Sequence, residues 1–222
     1  IYCGHKSLIT SFCFILHIPL NRLFEKPFTS LEQFEIMPLE KLINTSTELL
    51  NPYVESWKEQ GKKVMGYTTV YVPEEIIYAA GILSYRIGGR GATKTVTADT
   101  YFGPVNCSYA RCILENAADG KFDFLDGVVI SYECDHMRRL FDTWRRAAKD
   151  GNARLPPFFE YYGVPHSRGK HASKFLMDET YGFIKKMEEH FGVKVTEDGL
   201  RKATKVYLSL IHISEPTRQA EI

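Results

Sequence analysis

The sequence lacks an excess of charge of either sign. Its 222 residues include 28 lysines and arginines against 27 aspartates and glutamates, a formal net charge of +1. No overall field therefore draws the chain to nucleic acid or to a membrane surface, and we expect neither as a partner. Its composition, 44% hydrophobic and 13% aromatic, supplies one sizeable core, or one and a half domains.

The sequence also has no long hydrophobic run. The most apolar stretch, LITSFCFILHIPL at Leu8–Leu20, contains His17 and Pro19. It is too short to span a bilayer, and it lacks the small-residue cleavage site of a signal peptide. We interpret it as neither a membrane anchor nor a targeting signal.

Cysteine is scarce, and its pattern excludes several classes of site. The five cysteines are irregularly spaced, with no C-x2-C pair, which disfavours a disulfide scaffold, a zinc ribbon and a ferredoxin-like cluster. We predict a cytoplasmic, reducing location with cysteines free or metal-bound. The glycine-rich GGRGATKT, Gly88–Thr95, fits no phosphate-loop pattern and favours a plain turn over a nucleotide site.

Both ends of the chain are suspect. Residues 1–36, which precede the first methionine, Met37, have no clear period and are a doubtful leader, either translated upstream DNA or an irregular extension. LSLIHISEPTR, Leu208–Arg218, resembles a translated sequencing adapter. We therefore expect residues 208–222 to be an artefact and do not consider His212 as a ligand.

Strand-like and helix-like segments alternate between these ends. The pattern predicts strands near 63–70, 84–87, 125–132 and 157–163, and helices near 73–83, 107–120, 135–149, 170–191 and after Thr196. Leu125–Tyr132 is a continuous apolar run, typical of a strand buried on both faces of a parallel sheet. The alternation predicts βαβ units and an α/β fold with a parallel sheet.

Two cysteines lie where such a sheet gathers ligands. Cys134 follows the strand 125–132, and Cys107 stands at the start of the next helix upstream. A helix N-terminus favours the thiolate, the metal-binding form, so the two can share a metal or cluster site. Two buried core cysteines are the alternative. Cys112 is better explained by packing, and Cys3 and Cys13 lie in the doubtful leader.

The remaining candidates have ordinary explanations. Glu74 and Glu75 can simply complement a helix dipole. Two histidines, His136 and His166, either support a site or lie on the surface. Two arginine pairs, Arg138-Arg139 and Arg145-Arg146, either bind an anion or form a solvated helix face.

Three motifs, in this order, resemble one family. They are GYTTVYVPEEIIYAAGIL at Gly66–Leu83, NCSYARCILE at Asn106–Glu115, and LDGVVISYECDHMRRLFDTW at Leu125–Trp144. Together they resemble subunits of 2-hydroxyacyl-CoA dehydratases and benzoyl-CoA reductases, over about residues 62–203. The CDHMRRL string and the later VPH and HFGV segments favour the reductase branch.

The resemblance implies a Rossmann-like parallel sheet flanked by helices, with a 4Fe–4S cluster on three cysteines and an open iron position. Cys107 and Cys134 match the first two cysteines, and we expect the third in a C-terminal half that this chain lacks. Glu75 matches a family glutamate near the substrate pocket and is the catalytic candidate. The predicted units are residues 37–61, helical; 62–165, the cluster-binding domain; and 166–207, the helical start of the second half.

The resemblance also implies a reaction and partners. An ATP-dependent iron–sulfur activator protein would supply low-potential electrons, which the cluster passes to an acyl-CoA thioester beside a homologous second subunit. No nucleotide would bind this chain directly. The alternatives are a nucleotide-binding protein of the activator type and a non-catalytic paralogue acting in assembly or electron transfer. We expect the fragment alone to be inactive.

Overall fold

The structure, a computed structural model, describes residues 48–214, and side chains from 48 to 209. The strands are β1 (Val64–Tyr67), β2 (Leu83–Arg86), β3 (Gly127–Ser131) and β4 (Phe158–Tyr162). The helices are α1 (Pro52–Glu59), α2 (Glu74–Ala79), α3 (Ser108–Ala118), α4 (Asp135–Lys149), α5 (Lys170–Phe191) and α6 (Glu197–Ser214), with a 3-10 turn at Ala98–Thr100.

The four strands form one parallel sheet in the order β2-β1-β3-β4. Helices connect and flank the strands, so the predicted α/β fold is confirmed. β1 and β3 lie in the centre and are buried along their whole length, which the apolar run 125–132 predicted for β3. After β1 the chain continues to β2 at one edge of the sheet, and after β3 it continues to β4 at the opposite edge. The carboxyl ends of β1 and β3 therefore form the switch point at which such sheets bind ligands.

A hydrophobic core covers each face of the sheet. On one face, Val64, Val128 and Ile130 pack with α1, α3 and α4. On the other face, Met65 and Val129 pack with α2, α5 and α6. The result is a three-layer arrangement, because each helix has one apolar face to bury against the sheet.

Gly66 allows the central strand to pack closely on its neighbours. A Cβ at this position would lie 2.8 Å from Leu125 Cδ1, 3.0 Å from Ile87 Cγ2 and 3.1 Å from Val128 Cγ2. A side chain here would therefore overpack the core on the face covered by α3 and α4.

Local sequence signals set most helix limits. The limits predicted for α4 and α5 are confirmed, and Thr196 caps α6 by accepting a hydrogen bond from the Gly199 amide at 3.1 Å. The prediction for α2 was wrong at its C-terminal end. The helix ends at Ala79 rather than near 83, because Gly81 takes a φ of 75° and Leu83 already belongs to β2.

Several expectations concern the ends of the chain. The leader, residues 1–36, and the start of the segment 37–61 lie outside the described residues, whereas α1 lies in the described part of that segment. α6 continues to Ser214, past the boundary expected at Tyr207. Within the described residues, no helix has the length and apolar content needed to cross a membrane.

Candidate functional site

Hydroxyl groups fill the switch point between β1 and β3. Thr69 and Ser131 are both buried, and their hydroxyl oxygens are 2.6 Å apart. The Ser131 amide approaches the Thr68 hydroxyl at 3.4 Å. Because a buried hydroxyl needs a partner, these groups satisfy one another where the strands separate. The floor of the crevice is therefore polar although the core beneath it is apolar.

Charged and phenolic groups lie above this floor. The Tyr109 hydroxyl, from the first turn of α3, lies 3.0 Å from the Thr68 carbonyl oxygen and 3.1 Å from that of Ile87. Burial raises the pKa of Glu133, although a hydrogen bond from Thr69 and the charge of Arg86 oppose the shift. Burial also raises the pKa of Tyr109, which Arg86 opposes and Glu133 reinforces. The ends of β1, β2 and β3 thus meet in one electrostatically connected group.

Cys107 and Cys134 are close in sequence to two members of this group. Each occupies the N-cap of a helix, Cys107 of α3 and Cys134 of α4, and neither side chain forms a capping hydrogen bond. Both are free thiols and half-buried against the same core. Tyr109 is two residues after Cys107, and Glu133 directly precedes Cys134, so residues beside each cysteine take part in the group.

A side-chain hydrogen bond joins the two cysteine-bearing turns directly. His136 Nδ1 lies 3.1 Å from Asn106 Oδ1. Asn106 directly precedes Cys107, and His136 belongs to the first turn of α4. The N-termini of α3 and α4 are therefore neighbours, which the sequence alone did not establish.

Cys112 lies in a different environment from Cys107 and Cys134. A Cβ placed on Gly89 would be 2.6 Å from Cys112 Cβ, so the glycine-rich loop lies directly on this side chain. The same loop is held from α3 by Asn116, whose Nδ2 donates to the carbonyl oxygens of Gly88 at 3.2 Å and Arg90 at 2.8 Å. Cys112 is thus half-buried beneath a loop that packs on α3.

The donor chemistry at the two helix N-termini fits part of a thiolate ligand set. The sulfur atoms are not consumed by disulfides or helix capping. Within the described part of the chain, no three His, Cys, Asp or Glu side chains gather as a metal site. Cys107 and Cys134 can supply at most two ligands of a thiolate metal site. A third ligand would have to come from outside the residues that the structure describes.

Glu74 and Glu75 lie on the opposite side of the sheet from the cysteines, at the start of α2. Glu74 accepts a hydrogen bond from the Tyr67 hydroxyl at 2.9 Å. Burial raises the pKa of Glu74, against hydrogen bonds from Tyr67 and Tyr207 and the charge of Arg86. Tyr207 itself lies 2.5 Å from the Ser84 hydroxyl. Helix-dipole complementation alone therefore does not describe Glu74, which belongs to a partly buried network.

Glu75 gives a testable pH dependence of stability. Burial raises the pKa of its carboxyl; its own amide opposes the shift, and Glu74 adds to it. Between the pKa of Glu75 in the unfolded chain and its higher pKa in the folded chain, the folded chain holds a proton that the unfolded chain has released. The free energy of unfolding therefore falls as pH rises through this range. We expect Glu75→Gln to be more stable by about 1 kcal/mol at about pH 8 and equally stable at about pH 4. Urea unfolding followed by circular dichroism measures both values.

The matched control for this prediction is Glu48→Gln, because Glu48 is exposed and lies before α1. We expect this variant to follow the unsubstituted chain at every pH. A Glu75→Gln difference that stays constant between pH 4 and pH 8 would show that its carboxyl is not the titrating group.

Three other sequence candidates, His166, Arg145 and Arg146, have local partners. The His166 ring packs edge-on against Tyr132, with centroids 4.7 Å apart. Arg145 lies over the Phe141 ring at 5.5 Å, and Arg146 pairs with Asp150 at 2.9 Å on an exposed helix face. The sequence had not singled out Arg86, Tyr109 or Glu133, because each acquires its neighbours only through the sheet.

Comparisons with known proteins decide the family. The family described as 2-hydroxyglutaryl-CoA dehydratase, D-component, matches residues 69–210, more than half of the chain. The chain belongs to this family. The resemblance inferred from the three motifs is thereby confirmed, and the match extends just beyond Tyr207.

Curated relatives from both branches are similar to this dehydratase-family chain. It is 34% identical to the beta subunit of (R)-2-hydroxyglutaryl-CoA dehydratase of Acidaminococcus fermentans over 68% of the chain and 39% of the relative. It is 31% identical to the (R)-phenyllactyl-CoA dehydratase beta subunit of Clostridium sporogenes, over 76% and 44% respectively. A benzoyl-CoA reductase subunit of Thauera aromatica is 32% identical, over 68% and 39%. The chain thus spans about two fifths of the length of these relatives, and the identities do not separate the two branches.

Proposed function

We propose that this chain is the N-terminal part of a subunit that binds a 4Fe–4S cluster and acts on an acyl-CoA thioester, by 2-hydroxyacyl-CoA dehydration or benzoyl-CoA reduction. The observation that carries the proposal is the pair of free, half-buried thiols at two adjoining helix N-termini, Cys107 and Cys134. Cysteine thiolates are soft ligands, and soft ligands select iron–sulfur clusters and zinc over hard cations.

The residues of the chain would have separate tasks at this site. Cys107 and Cys134 would hold two of the three cysteine-ligated irons, with the third ligand supplied by the rest of the subunit. The bound cluster would supply low-potential single electrons and an open iron position that accepts the thioester carbonyl oxygen. Glu75 would be the polar group near the acyl chain, and burial, which raises the pKa of its carboxyl, favours the form that can donate a proton.

The proposed partners follow from this chemistry. The family resemblance implies an ATP-dependent iron–sulfur activator protein, and we propose such a protein as the source of the low-potential electrons. The relatives are themselves named as subunits of their enzymes, which supports a homologous second subunit beside this one. The acyl group is left open between a 2-hydroxyacyl and an aromatic thioester.

The experiment uses the complete protein, expressed without oxygen together with its neighbouring subunit. Iron and acid-labile sulfide are counted, and turnover is measured with 2-hydroxyglutaryl-CoA, phenyllactyl-CoA and benzoyl-CoA in the presence of activator protein and ATP. We expect about four irons and about four sulfides per subunit, with turnover of one substrate class. A complex without iron would overturn the proposal. Iron without turnover of any thioester would restrict the subunit to assembly or electron transfer.

A further inference from the structure

Cys107 and Cys134 cap separate helices, so the distance between them depends on the contacts between the first turns of α3 and α4. Neither sulfur is fixed by its own helix, because both N-caps lack a side-chain hydrogen bond. Their backbones are extended, with φ −64° and ψ 144° at Cys107 and φ −156° and ψ 167° at Cys134. Ala110 and Met137, in the first turns of α3 and α4, are buried in the shared core and limit the position of each helix, whereas the two N-cap cysteines are only half-buried.

Asn106 is held firmly before Cys107. Its amide N–H donates to the Gly103 carbonyl oxygen at 3.0 Å, and its side-chain Nδ2 donates to the same oxygen at 3.0 Å. A carbonyl oxygen can only accept, so the Asn106 NH2 group must face Gly103. The side-chain Oδ1 is therefore the atom that faces His136.

This assignment fixes the direction of the hydrogen bond to His136. Because Asn106 Oδ1 can only accept, the proton must be on Nδ1 of His136 at the 3.1 Å contact. The bond joins Asn106, which directly precedes Cys107, to His136, which lies in the first turn of the helix that Cys134 caps. It spans 30 positions of sequence, so no local backbone bond can replace it.

We propose that Asn106 and His136 are positioning residues that set the separation of the two cysteine sulfurs. This inference rests on the proposed ligand pair. Metal sites tolerate only small errors in ligand position, and loss of a supporting hydrogen bond to a ligand typically weakens metal affinity about 10–100-fold. A bond between the two turns acts on both sulfurs at once.

The test measures chelation of the thiol pair by phenylarsine oxide, a probe that requires two neighbouring thiols. The full chain is used with Cys3, Cys13 and Cys112 replaced by serine, so that Cys107 and Cys134 are the remaining thiols. We expect Asn106→Ala and His136→Ala each to weaken chelation about tenfold, the lower end of that range, because their bond joins residues near the cysteines and does not reach the sulfur atoms. The double variant should be no weaker than either single variant, since one bond is lost in all three.

A conservative variant separates positioning from general damage to the fold. In His136→Asn, the side-chain Nδ2 can donate from nearly the position of imidazole Nδ1, so we expect it to restore most of the chelation. Circular dichroism and urea unfolding of each variant verify the fold. A His136→Asn chain that chelates no better than His136→Ala, with both folded, would overturn the positioning role.

The same measurements distinguish this inference from the proposed function. Chelation that is lost in Cys107→Ser and Cys134→Ser but unchanged in Asn106→Ala and His136→Ala would overturn the positioning role and leave the ligand pair intact. An unsubstituted thiol pair that does not chelate the arsenical would overturn both.

Discussion

Cys107→Ser and Cys134→Ser are each expected to reduce the iron content of the complete, anaerobically prepared subunit from about four atoms to nearly none. Each substitution exchanges a thiolate at a helix N-cap for a hydroxyl that stays protonated and binds iron poorly. Two ligands cannot hold the cluster in place of three, so the loss should be nearly complete in either variant. Iron and sulfide analysis, with the charge-transfer absorption of the cluster, measures the result.

Cys112→Ser is the matched control for these two variants. It makes the same chemical change on the helix that Cys107 caps, but Cys112 lies beneath Gly89. We expect this variant to keep its iron and sulfide. Iron that survives in both Cys107→Ser and Cys134→Ser, or that is lost in Cys112→Ser with the fold intact, would refute the ligand assignment.

The fold was predictable where the signals are local. The limits of α4 and α5 follow from hydrophobic periodicity and from the residues at their ends, and β3 follows from an uninterrupted apolar run. The end of α2 was missed because Ala79 and Ala80 favour helix, while the turn at Gly81 and pairing of Leu83 with Val64 decide otherwise. Tertiary pairing overrode propensity there.

The site was predictable only in part, since its members are remote in sequence. The alternation of strands and helices placed Cys107 and Cys134 at helix starts, which the structure bears out, and their role as ligands stays a prediction. The contact between Thr69 and Ser131 spans 62 positions and leaves no periodic signal. Glu115 was read only as part of a helix, yet its carboxylate is buried and accepts a hydrogen bond from the Ala98 amide at 2.8 Å. A sequence identifies residue types that can do chemistry, whereas the sheet decides which of them meet.

Trp144→Ala is expected to lower the free energy of unfolding by about 3–5 kcal/mol. The Trp144 side chain is completely buried between α4 and the sheet, with ring centroids of Phe159 at 5.3 Å and Phe122 at 6.1 Å. Its indole N–H donates to the Arg154 carbonyl oxygen at 3.0 Å, which truncation would leave unpaired. Domains of this size are stable by only about 5–15 kcal/mol, so the loss is a large share.

Trp57→Ala provides the control, because Trp57 also donates its indole N–H to a backbone carbonyl oxygen, that of Lys63, at 3.0 Å. Trp57 is only partly buried, so the two substitutions remove the same atoms and the same kind of hydrogen bond and differ in burial. We expect a loss of about 1–2 kcal/mol at this site. Urea unfolding by far-ultraviolet circular dichroism gives both values. Equal losses of unfolding free energy in the two variants would show that burial of Trp144 does not stabilise the packing of α4, the helix that Cys134 caps, against the sheet.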